Sequence, residues 1–505
     1  MKNPKIFSIV SLFFTVFLFS CSEKDLLPED VNIDPVQEEI SANYGDETFV
    51  SSEQALEIAG KFFSGESGLE TRALANAAVA TVTDEKNGGN PAMYVINYPE
   101  GGWAIVSATR NYFPVLAHSD KGFFDLENVS QSGVSVWMAE TKDAVRMSEK
   151  LADSVKVQIN TQWLAYEEAQ KKALSGPQTR GYNEMMNRID YLSSQYGSQG
   201  WYDYMSLDEA YYYLGSSLWQ NLVNEANSIG ASTEYTIVAI KSVFHNYTSQ
   251  TGPLLTTQWD QGVKGNFAFN AWYPPNGPGY YLGNRLVGCV AVALGQIMNY
   301  HQKPQSNFIP SNHPNASLFH PTPGWSHVFD WTNMSLTLHH YSSIPELLRA
   351  VSDAVYMNYN TSGANIDDAR NALKNIYRYT TVTMANHSVA SLTTVKSHIN
   401  ASPKGRPVYM RGKEAGSQYG HAWVCDGVRI EEDRDEYFVE FSVNNSYGSY
   451  SSYSPAYPGV VVNRYDYYHM NWGWGGIHDG WFVPNNISNP EGNYTQDRQN
   501  LYIIP

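Results

Sequence analysis

One cysteine lies where a protein chain could use its thiol as a nucleophile. Cys289 follows Gly288 and opens an alanine-rich apolar segment, residues 290–300, whose spacing predicts a helix. A thiol in the first turn of a helix faces unpaired N–H groups and the positive end of the helix dipole. Both favour thiolate over thiol, so the position predicts a lowered pKa at Cys289. On position alone, a small buried side chain is the better interpretation.

A thiolate nucleophile needs a base close by, and histidine usually supplies it. His421 differs from the other histidines because it follows Gly420 and opens an alternating segment, residues 421–426. The alternation predicts a strand with His421 at its first position. The alternative is a histidine satisfied within the core.

A third segment, residues 467–482, places Asn471 and Trp472 among four glycines. A catalytic imidazole needs an acceptor that fixes its tautomer, such as an asparagine oxygen, and a wall that excludes water. Asn471 and Trp472 together would supply both. The alternative is a tryptophan-rich turn that fills a corner of a sheet.

Three sequence blocks carry a family resemblance. "VGCVAVALGQIMNYH", "GHAWVCDGV" and "NWGWGGIHDGWF" resemble, in order and spacing, the hallmark blocks of the streptopain family, peptidase family C10. These are papain-like bacterial cysteine endopeptidases made as zymogens, and the likeness covers about residues 250–505. The resemblance implies that Cys289 is the nucleophile and His421 the general base and acid, with Asn471 and Trp472 beside the imidazole.

The resemblance also implies an oxyanion donor outside the Cys289 helix. "TTQWDQG" aligns with the stretch that carries this glutamine in the family, which assigns the role to Gln261, with Gln258 as the fallback. A donor there has a physical basis, because the tetrahedral oxygen needs a preorganised N–H beside the Cys289 amide.

The N-terminal part of the chain predicts a separate small α+β unit. Its elements are a helix at 51–64 capped by Ser52, strands at 93–98, 103–108 and 114–118, and a long helix at 135–174 that ends in the linker "SGPQTRGY". Within it, "GGWAIVSATRNYFPVLAHSDKGFFD" resembles the propeptide or inhibitor domain found with these enzymes.

The expected fold class is therefore α+β, with a papain-like catalytic domain preceded by a small α+β propeptide domain. We expect a signal peptide at 1–21, an acidic tether at 22–45, the propeptide domain at 46–180, a helical bridge of uncertain membership at 181–245 and the peptidase domain at 246–505. Further helices are predicted at 289–301 and 363–377, and an insertion at 429–466 could form a rim or lid over the substrate groove.

The first residues predict export. Lys2 and Lys5 precede a short apolar stretch, and "LFSC" resembles a lipobox in which Cys21 would be lipidated. This predicts an exported bacterial lipoprotein, held to the outer membrane or cell surface by its lipid anchor, with release after processing left open. An uncleaved anchor and a plain signal peptide are the alternatives.

Composition excludes some classes of function. The formal net charge of −17, without a basic stripe, disfavours nucleic-acid binding. With only three cysteines and Cys21 assigned to lipid, no disulfide framework is expected; Cys289 and Cys425 either pair or stay free, and a buried core thiol is the better interpretation of Cys425. No metal or organic cofactor is implied.

Together these patterns predict a cysteine-type endopeptidase made as a zymogen, acting on protein or peptide substrates and inhibited by its own propeptide. The alternatives are a catalytically silent lipoprotein that binds proteins or inhibits a protease, and a Cys/His cell-wall amidase.

Overall fold

The computed structural model describes residues 48–67, 77–151, 153–166, 199–205, 235–261, 286–305, 314, 328–334, 343–414, 417, 420–443, 446–453, 460–484 and 498–505. The predicted signal peptide, Cys21, the tether and the linker "SGPQTRGY" lie outside these ranges. No helix in the described ranges is long and apolar enough to cross a membrane.

The N-terminal unit is a helix packed on an antiparallel sheet. Helix α1 spans Ser52–Ser67, and the strands are β1 Ala78–Asp84, β2 Asn90–Asn97, β3 Trp103–Ser107 and β4 Val115–Ser119. Alternate residues of these strands, including Tyr94, Ile96 and Val106, pack with Phe62 of α1. The predicted strands are confirmed, and β1 is an additional one.

Two local predictions in this unit were wrong. The α1 cap is Ser51 rather than Ser52, because the Gln54 N–H donates to Ser51 Oγ and the Ser51 N–H donates back to Gln54 Oε1. The long helix is divided into α2 Val134–Met147 and α3 Asp153–Tyr166. At the break, the Ser148 hydroxyl donates to the Val145 carbonyl, so a side chain competes with the helical backbone bonds.

The C-terminal unit places helices against the strands that carry the candidate site. Its helices are α4 Cys289–His301, α5 Ser343–Ala354, α6 Ile366–Asn371 and α7 Val389–Ile399. Its strands include β7 Thr381–Asn386, β8 Val408–Lys413, β9 Gly420–Val443, β10 Ser446–Tyr453, β11 Val460–Asn471, β12 Gly480–Phe482 and β13 Gln499–Ile504. The helices predicted at 289–301 and 363–377 are confirmed, the second as α6 followed by a π-helical turn, Ala372–Ile376.

One sheet runs through both units. Its order is β1-β2-β3-β4-β12-β11-β9-β8-β13-β7, and the units join where β4 pairs antiparallel with β12. The Val483 N–H extends this junction by donating to the Leu116 carbonyl at 2.9 Å. The N-terminal unit is therefore an edge extension of the catalytic sheet.

The segment predicted as a helical bridge contains strands instead. Strands β5 Gln199–Met205 and β6 Tyr235–Thr251 pair with each other, and β6 also pairs with β9. Aromatic and β-branched residues favour strands, and pairing with β9 stabilises the β6 residues as a strand instead of a helix. The helical prediction was wrong for these two ranges; residues 181–198 and 206–234 lie outside the described part of the chain.

The insertion at 429–466 continues the sheet where the structure describes it. Strands β9 and β11 pair from Val460↔Asp435 to Asn471↔Val424, and β10 pairs with β9. Its role as a rim or lid stays a prediction.

Two apolar clusters meet at β9. Ala422 and Val424 pack with the residues of α4, whereas Trp423 and Cys425 belong to the cluster that contains Trp137 of α2. The two faces of this strand therefore contact the Cys289 helix α4 on one side and the N-terminal unit on the other.

Candidate active site

The Cys289 helix begins where the sequence predicts. Gly288 caps α4 with φ of 86°, a conformation that favours glycine, and a Cβ there would lie 2.5 Å from Met357 Cε. The Cys289 side chain is half-buried and packs against the α4 core cluster.

The ionisation of Cys289 differs from the expectation. Burial raises the pKa of the Cys289 thiol, while backbone hydrogen bonds from Ala422, Val290 and Cys289 itself, and the charge of Arg411, act in the opposite direction. Desolvation outweighs the helix terminus, so the predicted lowering of this pKa was wrong for this conformation. The raised pKa favours the thiol form of Cys289.

His421 lies on β9, one residue before a residue that contacts Cys289. It pairs with Gly412 of β8, and the next residue, Ala422, is the one whose backbone hydrogen-bonds to Cys289. Burial lowers the pKa of the half-buried His421 imidazole, and the Glu414 carboxylate opposes this shift. The structure thus brings the strand residue after His421 into contact with the thiol, while the imidazole is held neutral.

Asn471 is tied into a buried polar cluster. Its Oδ1 accepts hydrogen bonds from Gln296 Nε2 at 2.9 Å and the Gly473 N–H at 3.1 Å, and its Nδ2 donates to the Thr257 carbonyl at 2.8 Å. These contacts fix the direction of the Asn471 amide. Orientation of His421 by its oxygen stays a prediction.

Trp472 forms part of an aromatic wall. Its ring centroid lies 5.2 Å from that of Trp423 and 5.1 Å from that of Phe482. Its backbone N–H donates to Asp479 Oδ1 at 2.9 Å, and burial raises the pKa of Asp479 to about 7. The wall lies next to β9, since Trp423 is two residues beyond His421.

The segment with the candidate oxyanion glutamines packs on the Asn471–Asp479 turn. The Gly475 N–H donates to the Trp259 carbonyl at 3.3 Å, and a Cβ on Gly476 would lie 2.7 Å from Gln258 Nε2. Gln261 is buried at the end of the same segment. The roles of Gln261 and Gln258 stay predictions.

The N-terminal unit covers the same region. Gly133 is the N-cap of helix α2, and a Cβ on it would lie 2.8 Å from Trp423 Cε3 and 3.0 Å from Trp472 Cε3. Further along α2, Val136 Cγ1 lies 2.9 Å from the position of a Cβ on Gly412. The helix therefore rests on the wall and on the strand partner of His421.

Polar contacts fix this arrangement. Arg498 Nη1 donates to Glu140 Oε2 at 2.8 Å, and both side chains are buried. Trp137 Nε1 donates to the Val483 carbonyl, and His478 Nε2 donates to the Asp125 carbonyl. Each of these contacts joins the N-terminal unit to the catalytic unit.

Several residues of the site were missed from the sequence. Glu140 and Arg498 gave no local signal, because 358 positions separate them. Gln296 did give one, since it is a polar residue within an apolar helix and lies seven residues after Cys289. Cys289 and Cys425 are both free, which resolves the question of their pairing.

Two models of known families match this chain. Residues 259–482 match the model of the Peptidase C10 family, and residues 47–145 match that of the Spi protease inhibitor. The chain carries a Peptidase C10 domain. This is a cysteine peptidase domain preceded by an inhibitor-like domain, and the predicted fold class and family are confirmed. The domain bounds predicted from the sequence stay predictions.

Individual relatives resemble the C10 domain at moderate identity. Streptopain of Streptococcus pyogenes is 28% identical over 215 residues, which is 39% of this chain and 44% of streptopain, so the chain spans less than half of that relative. The thiol protease/hemagglutinin PrtT of Porphyromonas gingivalis is 26% identical over 264 residues, 48% of this chain and 25% of PrtT. Among solved structures, a prointerpain A fragment of Prevotella intermedia has 16% identity and a TM-score of 0.43, covering 84% of this chain and 98% of the fragment.

Proposed function

We propose that this chain is an exported cysteine endopeptidase made as a zymogen, with Cys289 as nucleophile and His421 as general base and acid. One observation carries the proposal: in a C10 domain, the thiol at the start of α4 lies against the backbone of Ala422, the residue that follows His421. This contact supports the pairing of Cys289 with His421 that thiol catalysis requires.

The reaction follows from these groups. His421 takes the proton of Cys289, and Sγ bonds to the carbonyl carbon of the peptide while the carbonyl becomes an oxyanion. The Cys289 N–H and Gln261 hold that oxygen. Collapse breaks the C–N bond, and His421 returns its proton to the leaving amine. Water, deprotonated by His421, then releases the acyl group from Cys289 as a carboxylic acid, and the proton returns to the thiol. Asn471 orients His421, and Trp472 keeps water out.

The N-terminal unit is the intramolecular inhibitor in this proposal. Helix α2 packs on the aromatic wall beside β9. Burial of Cys289, which raises its pKa, favours the less nucleophilic thiol form. A cavity of about 640 Å³ between the units is lined by His118, Asp120, Thr257, Gln258 and Asn471, among others. Residues of both units line this cavity, which supports a propeptide that covers the segment proposed to bind the substrate carbonyl.

Export and anchoring are the part of the proposal that rests on sequence. The lipobox-like "LFSC" supports lipidation of Cys21 and a position at the outer membrane or cell surface. Cys21→Ser should release the protein from the membrane fraction, and an unchanged distribution would contradict this part.

Maturation of the full chain tests the enzymatic part. We expect wild-type protein to shorten with time and to hydrolyse casein, and Cys289→Ala to stay full length and inactive. Processing of Cys289→Ala at the wild-type rate would contradict self-maturation. A processed protein that does not react with a thiol-directed epoxide would support the silent inhibitor, and digestion of cell wall without casein hydrolysis would support the amidase.

A further inference from the structure

Gln296 is the polar group that connects the separate parts of the candidate site. It lies seven residues after Cys289 in α4, two helical turns along and thus on the same helix face. Its polar side chain is fully buried among apolar neighbours, Leu294, Ile297 and Met298. Burying an amide is unfavourable unless all of its hydrogen bonds are made, so the contacts of this side chain carry information about its role.

Those contacts reach two other segments. Gln296 Oε1 accepts from Thr257 Oγ1 at 2.7 Å and from the Trp259 N–H at 3.4 Å. Gln296 Nε2 donates to Asn471 Oδ1 at 2.9 Å, and Asn471 Nδ2 donates back to the Thr257 carbonyl at 2.8 Å. The nucleophile helix, the segment that leads to Gln261 and the Asn471–Trp472 turn are thereby joined through one amide.

The cluster also fixes which way the Asn471 amide points. Because Gln296 Nε2 and the Gly473 N–H are donors, only the oxygen of Asn471 can face them, and its NH₂ must face Thr257. Replacing the Gln296 donor would remove this constraint and let the amide turn. The same change would free the Thr257–Trp259 segment from α4.

We infer that Gln296 is a positioning residue for the peptidase reaction, which holds the Asn471 amide and the Gln261 segment in register with Cys289. This inference rests on the proposed function. Gln296 contacts neither the thiol nor the peptide in this role; it acts through Asn471 and through Thr257 and Trp259.

The first test compares Gln296→Leu with Ile297→Val in the full-length chain after maturation. Leucine keeps the side-chain volume and removes all three hydrogen bonds, whereas Ile297→Val disturbs the neighbouring buried position without touching the polar cluster. With active sites counted by a thiol-directed epoxide, we expect kcat of Gln296→Leu to fall about 100-fold, the effect of a small misplacement of reacting groups, with KM unchanged. Equal kcat values for the two variants would overturn the inference.

The second test uses Gln296→Glu, which keeps the acceptor for Thr257 and Trp259 but loses the donor to Asn471 when ionised. A buried carboxyl has a raised pKa, and once protonated its O–H can donate to Asn471 Oδ1. The ratio of variant to wild-type kcat should therefore rise as pH falls. Asp479, His469 and Asp426 are the titratable groups around the Asn471 turn, and they cancel in the ratio because both proteins contain them. A ratio independent of pH would overturn the inference, even if Gln296→Leu fails to fold.

The wild-type enzyme separates this inference from the proposed function. Active wild type with an unaffected Gln296→Leu variant would overturn only the positioning role. A processed wild type without peptidase activity would overturn both.

Discussion

The buried ion pair between Glu140 and Arg498 predicts how strongly the N-terminal unit is held on the catalytic unit. The two side chains are 8% and 5% exposed, and the pair joins α2 to the residue preceding β13. The guanidinium also lies over the Trp423 ring, 5.4 Å from its centroid. Removal of one partner from a buried pair costs about 3–5 kcal/mol, because the remaining charge is left without compensation. Glu140→Gln should therefore weaken docking by about 3 kcal/mol, which corresponds to about 100-fold in the fraction of undocked molecules.

Hydrogen exchange at the junction measures this opening. The reporter is the amide of Val483, which donates to Leu116 across the two units. The experiment uses full-length Cys289→Ala, so that processing does not interfere. We expect exchange of this amide to be about 100-fold faster in Glu140→Gln, since exchange in the fast-closing regime follows the open fraction.

A matched control is an exposed ion pair to the same helix. Lys86 pairs with Asp143 of α2, but its side chain is 63% exposed, and such pairs contribute about 0–1 kcal/mol. Lys86→Ala should leave the Val483 amide almost unchanged. Amides of α5 that exchange through local openings, which leave the Glu140–Arg498 contact intact, should not respond to either change. Equal exchange rates of the Val483 amide in Glu140→Gln and Lys86→Ala would refute the reasoning.

Two further perturbations act on the same interface. Gly133→Ala places a methyl group against Trp423 and Trp472, and overpacking of this kind costs about 1–3 kcal/mol, so self-processing should be faster than in the wild type; an unchanged rate would contradict the packing of α2 on the wall. His118 of β4 is buried next to Phe62, and burial lowers its pKa from 6.5 to about 3. The neutral form is therefore favoured in the folded state. Its contribution to the free energy of unfolding is complete above pH 6.5 and is lost as pH falls toward 3. At pH 5 the loss is about 2 kcal/mol. Thermal unfolding of full-length Cys289→Ala at pH 7 and pH 5 should show this loss, His118→Phe should reduce it, and an equal pH response in both proteins would contradict the assignment.

The local features of the site could be predicted because each depends on residues that are close together in the sequence. Gly288 and the apolar run after Cys289 specify a helix start, and the alternation after Gly420 specifies a strand with His421 near its beginning. These patterns depend on neighbours within a few residues, where periodicity is informative.

The remaining features depend on contacts between distant residues. No periodicity shows that β4 pairs with β12, or that β6 is held as a strand by β9. The pKa of Cys289 was predicted in the wrong direction for the same reason, because the helix terminus is visible in the sequence whereas the burial that outweighs it is not. Gln296 was visible as a polar residue on the Cys289 face, but its partners Thr257 and Asn471 come from remote segments.

Reaction of the processed protein with a thiol-directed epoxide tests the central claim most directly. The adduct is located by mass spectrometry, and casein hydrolysis is measured on the same samples. If Cys289 is the nucleophile, the adduct forms on Cys289, activity falls in proportion to its occupancy, and His421→Ala reacts far more slowly. Full casein hydrolysis with Cys289 completely modified would contradict the account.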